Sequence, residues 1–407
     1  MNKKGLLSSI FAFFIIINGA PLYADSFFSG NAGGRLNYSP DVTAESYTPD
    51  LGLEVFFEGQ FNFSNNVWSH LDFSIDTSTL LDQDFFTATD AKFKIDELSI
   101  ISRAQIEDSA NYLSAFMGTY DPVGSDIFFQ RYFGMQPISS KITESWLGRS
   151  SSIIYPHFGI GISDILRLYN NPLAFGTYIY INNQDEKYYV LNFDLRFGCV
   201  YRYFSIDFAA GLGAPLTDKY NGEDAIVVID KLYWHAGTTI LIGNNFTQSL
   251  FIQAGIFNAT FTKGDNNLIS SPQDMYLLVE PRLKFKNSYM ALTLYSLPQK
   301  TVDQLLFVND TLGCNLNIYN DTLSFGSHQI TLGTNFSLSF PDKNFLDLKD
   351  PLALFGDGNF NIDMTPYMST SLLSGQLHMQ FTVKFMEFYK SKWYNGITAD
   401  IGYRTSF

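Results

Sequence analysis

Cysteine is almost absent from this chain. Cys199 and Cys314 are the only two in 407 residues, too few for a disulfide framework or a thiolate metal centre. Cys199 is in phase with Phe193, Leu195 and Phe197, and Cys314 with Leu312, Leu316 and Ile318. Each reads as a small apolar filler on its own strand. Histidine is scarce too, with His70, His157, His235, His328 and His378 the full set. No metal-ligand spacing, phosphate-binding glycine loop or nucleophile motif accompanies them. His70, His235 and His378 fall on polar phases and His328 on an apolar one, so the sequence implies no enzymatic activity, cofactor or metal. Basic residues number 26 against 40 acids, a net charge of −14, which excludes nucleic acid as an expected partner. Long apolar runs are missing as well. After residue 24 nothing approaches the roughly 20 residues of a membrane-spanning helix, although hydrophobic residues make up 46% of the chain and charged ones only 16%.

What the chain has instead is alternation. Ile397, Ala399, Ile401, Tyr403, Thr405 and Phe407 occupy one face of the last eleven residues, and Thr398, Asp400, Gly402, Arg404 and Ser406 the other. Leu51, Leu53, Val55, Phe57, Phe61 and Phe63 oppose Glu54, Glu58, Gln60 and Asn62, with Phe56 the one apolar intruder; Val67, Leu71, Phe73 and Ile75 oppose His70, Asp72, Ser74 and Asp76. The Asn65–Asn66 pair between these two runs is a tight-turn signal. Period two recurs over 158–168, 173–181, 189–199, 204–212, 232–242, 275–285, 328–340 and 377–385, and more weakly near 29–38, 91–101, 112–120, 248–261, 288–296, 310–319 and 359–369. Between residues 200 and 204 only a phase change hints at a turn, and Pro281 would delete a ladder hydrogen bond from its strand. Such segments match strands crossing a bilayer obliquely. The expected fold is an all-β, transmembrane antiparallel up-and-down β-barrel of about 16–18 strands. Its aromatic content of 16% suits interfacial girdles.

Connections sort into two alternating classes. Short ones are expected at Asn65–Asn66, Asn170–Pro172, Asn244–Asn245, Lys286–Ser288, Asn320–Asp321 and Ser371–Gly375, and longer ones near 39–50, 78–90, 121–155, 213–229, 262–273, 297–310 and 341–358. Outer-membrane barrels have short periplasmic turns and long outward loops. At the start, Lys3 and Lys4 precede an apolar run from Leu6 to Ile17, then Gly19, Ala20 and Pro21 and a cleavage point after Ala24, the layout of a secretory signal peptide. The expected organisation is a signal peptide over 1–24 and a single barrel domain over 25–407, bearing 24 basic and 40 acidic groups, a net −16.

The closing strand resembles the signal that Gram-negative and spirochaetal outer-membrane proteins present to the barrel-assembly machinery: Asp400, Gly402, Tyr403 and the terminal Phe407, with Thr405 in place of the usual large residue. The resemblance implies a cell outer-membrane location, with outer-membrane lipid and that machinery as partners. The connection from Asp121 to Tyr155 is the third long one, which in general porins folds into the lumen and narrows the pore. By resemblance, Asp121, Asp126, Arg131, Lys141, Glu144 and Arg149 become a candidate constriction. Independently, Glu54, Glu58, Asp72 and Asp76 make one inner wall acidic and Arg282, Lys284 and Lys286 make a distant wall basic, because charges facing a watery lumen cost little there. A porin-like channel for passive diffusion of small hydrophilic solutes follows as the expectation. A transporter of hydrophobic compounds and a surface adhesin anchored by its barrel stay open as alternatives. A homo-oligomer is compatible with the sequence, which holds no signal for its order.

Overall fold

The computed structural model describes residues 27–40, 49–77, 92–143, 153–185, 188–217, 219–220, 223–224, 227, 232–244, 247–260, 271–302, 305, 307–326, 328–356, 358–390 and 393–407. The segment read as a signal peptide lies outside them. Nine strands form the first half: β1 (Phe27–Pro40), β2 (Pro49–Ser64), β3 (Val67–Thr77), β4 (Lys92–Ile106), β5 (Ser109–Val123), β6 (Tyr155–Leu168), β7 (Leu173–Asp185), β8 (Tyr188–Tyr201) and β9 (Phe204–Leu216). Nine more complete it: β10 (Tyr233–Gly243), β11 (Gln248–Thr260), β12 (Met275–Phe285), β13 (Ser288–Ser296), β14 (Leu312–Phe325), β15 (His328–Phe340), β16 (Asn361–Leu372), β17 (Gly375–Lys384) and β18 (Ile397–Ser406). Each pairs antiparallel with its sequence neighbours, and β18 pairs with β1, from Asn31 opposite Ser406 to Tyr38 opposite Ala399. The sheet is therefore closed at 18 strands and leaves no edge, so its backbone polar groups are satisfied within the wall, as a bilayer demands.

Period two sets which side chains face lipid. Phe158, Ile160 and Ile162 on β6 and Phe193 and Leu195 on β8 are exposed, while Ser163 and Ile165, Asp194 and Arg196 on the opposite rows are buried. The seam is locked by aromatic rings on the lipid side. Phe407 stacks on Phe28 at 4.9 Å and on Phe57 at 5.8 Å, Phe57 continues to Phe73 at 5.1 Å, and Phe407 exchanges backbone hydrogen bonds with Gly30. Tyr403 Oη donates to the carbonyls of Leu372 and Leu373.

Most short connections lie at one end of the barrel, while β7 and β8 meet at the other with Asp185 opposite Tyr188. Turns at Asn65–Asn66, 169–172 and Lys286–Asn287 match the sequence reading, the phase change after Val200 is the turn Arg202–Tyr203, Glu107–Asp108 is a further one, and the Asn244 carbonyl accepts from the Thr247 amide between β10 and β11. Two expectations are corrected. Asn320–Asp321 is no turn: β14 runs through it with a bulge between Asn320 and Leu323, because the Asn320 side chain accepts from the amide and hydroxyl of Thr322 (both 2.9 Å) and supports the irregularity locally. Lys286 is a turn residue with φ 54°, so it lines no lumen wall. Pro281 does stay in its strand. It sits on the lipid-facing row opposite Leu250, and β12 skips its pairing to β13 between Val279 and Arg282, where the missing N–H falls. Cys199 and Cys314 are both free thiols.

Candidate functional site in the barrel lumen

The inner surface divides into two sectors of different chemistry. In the sector from β4 to β9 the lumen-facing rows of β5 and β7 carry large rings, Tyr112, Phe116 and Tyr120 on the first and Tyr178 and Tyr180 on the second. Against them packs the third long connection. It leaves β5 through Asp121 (φ 40°) and Gly124 (φ 97°), turns into the barrel as helix α1 (Ile127–Phe133), ends that helix on Gly134 in the left-handed region (φ 64°), and runs on through Ile138 and Ile142. Phe128 and Phe129 are fully buried. A Cβ at Gly198 would lie 2.6 Å from the Phe128 ring and one at Gly255 2.2 Å from the Ile154 side chain, so these two wall positions are glycine to admit the loop.

Charge holds the loop in place. Arg131 on α1 donates to Asp121 at 2.6 Å and to Glu97 of β4 at 3.0 Å, with side-chain exposures of 9%, 0% and 6%. Tyr132 and Tyr178 donate to the other Asp121 oxygen at 2.9 and 3.2 Å. Arg196 of β8 donates to the Asp121 carbonyl at 2.5 Å, lies 4.1 Å from the centre of the Phe128 ring, and forms a two-pronged pair with Asp207 of β9 at 2.8 and 2.6 Å. Across the barrel, Glu280 of β12 takes hydrogen bonds from Ser140 and Thr293 and pairs with Arg282 at 2.6 Å, while Arg282 also donates to the Ile138 carbonyl at 3.0 Å. Lys141 sits over the Tyr319 ring at 5.3 Å. The Asp126 carboxylate accepts from the Ile138 amide at 3.1 Å, and burial pushes it above the usual carboxylate range. A second connection, carrying Leu297, Val302, Leu305, Phe307 and Val308, joins the same buried cluster.

The other sector runs from β18 through β1 to β3. Arg35 pairs with Glu54 at 3.1 Å and Arg404 with Glu58 at 3.5 Å, with side-chain exposures of 25%, 32%, 23% and 35%. Asn31 donates to Glu58 at 3.2 Å, Asp72 stands opposite Glu58 and Asp76 opposite Glu54 in register, and no described loop covers this row. Asp400 is a lumen-facing residue here, buried and held by Asn37 at 2.7 Å and Gln380 at 3.0 Å.

Of the residues singled out from sequence, Asp121 and Arg131 are paired, Asp126 bonds the Ile138 amide within the inserted loop, and Lys141 of the same loop reaches the Tyr319 ring; Glu144 and Arg149 lie outside the described residues. Glu54, Glu58, Asp72 and Asp76 lie on the paired strands β2 and β3. Arg282 and Lys284 face inward, where Arg282 pairs with Glu280 at 2.6 Å beneath the loop and Lys284 donates to Tyr289 at 2.7 Å. Sequence reasoning passed over Glu97, Arg196, Asp207 and Glu280. It also missed the buried clasp in which His157 and His235 hold Asp194 at 3.2 and 2.8 Å. The signal available was the run of polar residues on the alternate positions of β8, namely Asn192, Asp194 and Arg196.

A closed 18-stranded barrel with apolar outer rows, a charged inner wall and a long third connection folded into the lumen is a porin-like β-barrel of the outer-membrane type. No known family profile matches the chain, and no curated protein matches it in sequence. Among solved structures it is similar to a mutant porin of Rhodopseudomonas blastica (10% identity, 94% of this chain and 100% of that one, TM-score 0.44). It is similar also to OmpF of Salmonella typhi in complex with daunomycin (13%, 94% and 97%, TM-score 0.39). A third is OmpT, an outer membrane protein of Vibrio cholerae, in a form lacking loop L8 (7%, 94% and 99%, TM-score 0.37). Identities this low speak to the fold alone.

Proposed function

We propose that this chain is an outer-membrane channel for passive diffusion of small hydrophilic solutes, and that its passage is eccentric, running along the wall from β18 to β3. The observation that supports this reading is the contrast in solvent access: charged side chains on that wall are a quarter to a third exposed, whereas those beneath the inserted loop are closed to water. Asp121, Asp126, Arg131 and Lys141 then act as the framework that anchors the constriction rather than as groups lining it. Glu54, Glu58, Asp72 and Asp76 outnumber Arg35 and Arg404 on the open wall, and an excess of carboxylates favours cations over anions in a narrow aqueous path. In this reading the chain crosses the inner membrane by its signal peptide, and the barrel-assembly machinery reads β18. The packed sector is also what a barrel serving only as an anchor requires. Conductance of the refolded protein in a planar bilayer separates the two: stepwise openings support the channel, and a folded barrel without openings supports the anchor.

A further inference from the structure

Two apolar connections of this barrel fold in opposite directions. The one that leaves β5 turns into the lumen, whereas residues 341–356, between β15 and β16 at the end that carries the long connections, fold over the outside of the wall. Leu294 of β13, Cys314 of β14, Leu338 of β15 and Ile362 of β16 stand side by side in one outward row, and Leu294 and Ile362 are 51% and 41% exposed. The next outward row toward the rim, Ser296, Leu312 and Phe340, is buried at 3%, 4% and 6%. Its cover is the connection itself. The Phe345 amide donates to Ser296 Oγ at 3.1 Å, Leu354 joins Leu312 and Phe340 in one buried cluster, and the Phe355 ring lies edge-on to Phe340 at 5.2 Å.

The outer surface of this cover is apolar again. Helix α2 (Pro351–Gly356) has no polar side chain, and only Leu354 of it is buried, while Leu352 is 83% and Phe355 48% exposed. In the preceding 3-10 turn (Phe345–Lys349), Leu346 and Leu348 are exposed as well. A helix bordering water carries polar residues on its outer face, and one that is apolar on all sides is buried. The two carboxylates between the turns are held within the segment: Asp347 accepts from the Asn344 amide at 2.8 Å and Asp350 from the Ala353 amide at 3.3 Å. Lys349 is exposed, on a stem long enough to bring its ammonium to the headgroups.

We infer that residues 345–355 form a collar inserted in the membrane, with Leu346, Leu348, Leu352 and Phe355 among the acyl chains and Lys349 at the headgroups of the leaflet on the long-loop side. Lipid is the occupant because the collar continues the acyl-facing wall. It covers a row that would otherwise meet acyl chains, and the row beneath it does meet them. Apolar side chains seated at the boundary between headgroups and acyl chains are how short interfacial helices hold to a bilayer. The collar thereby extends the apolar band past the ends of β13 to β16 and sets the depth at which this side of the barrel sits.

The test places single spin labels on the mature full chain lacking Cys199 and Cys314, refolded in phosphatidylethanolamine/phosphatidylglycerol vesicles and checked for heat-modifiability. Collisions are read with oxygen, which concentrates among acyl chains, and with a water-soluble nickel chelate. Labels at Leu348→Cys and Leu352→Cys are expected to match Leu294→Cys on the wall, with an oxygen-to-nickel ratio at least about threefold above that of the turn variant Asn287→Cys. A ratio equal to that of Asn287→Cys puts the collar in water and overturns the inference. Low collision with both reagents, with dipolar broadening that vanishes on dilution with unlabelled chain, means that a second copy covers the collar and overturns it too. Leu352→Trp gives a reading without a label: its added fluorescence is quenched by brominated acyl chains if the collar is inserted, and by acrylamide instead if it is not. None of these outcomes depends on whether the barrel conducts.

Discussion

Arg131 and Arg404 both point into the lumen and both pair with glutamate, yet they do different work. Arg131 is closed off from water and satisfies two buried carboxylates at once; Arg404 reaches Glu58 at 3.5 Å on a wall whose charged side chains are a quarter to a third exposed. A buried pair broken on one side leaves an uncompensated charge, whereas an exposed pair is screened and contributes little. One barrel thus uses the same residue types as mortar on one side and as channel lining on the other. Whether a lumen charge is structural or functional depends on what the loop above it covers.

The comparison can be broken most severely at the seam. Removing residues 397–407 should abolish assembly, because the open wall loses the strand that pairs with both β17 and β1; a truncated chain that still runs as a heat-modifiable barrel would remove β18 from its closing role. Next in size, replacing residues 127–142 with a short glycine–serine linker should raise single-channel conductance several-fold, since the packed sector would then open to water. Unchanged conductance would show that the inserted loop does not limit flow. Arg131→Met should cost about 3–5 kcal/mol by stranding Glu97 and Asp121, measured as a lowered unfolding midpoint in urea and faster hydrogen exchange over α1. The smallest stability effect belongs to Glu58→Gln, about 0–1 kcal/mol for an exposed pair, and yet this substitution should shift the reversal potential toward anions. Equal stability losses at Arg131 and Glu58 would erase the distinction between the sectors.

Much of the fold was legible because lipid enforces alternation. Where one face meets acyl chains and the other meets water, every second residue reports its side, and the acidic row of Glu54, Glu58, Asp72 and Asp76 could be read directly. Legibility fails where the lumen is not watery. Phe116, Tyr120, Tyr178 and Tyr180 face inward because the loop brings Phe128 and Tyr132 to meet them, and no local pattern distinguishes a ring facing protein from one facing lipid. Turns fail for a different reason. Leu373 and Ser374 both adopt positive φ (46° and 64°) without the asparagine–glycine signal that such turns favour, and only Gly375 beside them marked the place. The Glu280–Arg282 pair, two positions apart on one inward row, lay within reach of the sequence, but its cover by the loop did not, because that depends on Ser140 and Ile138, 140 residues or more away in the chain.

The most direct measurement is ion selectivity of single channels of the refolded mature protein, compared among wild type, Glu58→Gln and Arg282→Gln. A passage along the open wall predicts stepwise openings with cation preference, weakened by Glu58→Gln and left unchanged by Arg282→Gln. Openings whose selectivity follows Arg282 and ignores Glu58 would place the passage through the sector described here as packed, and would contradict the division of the lumen.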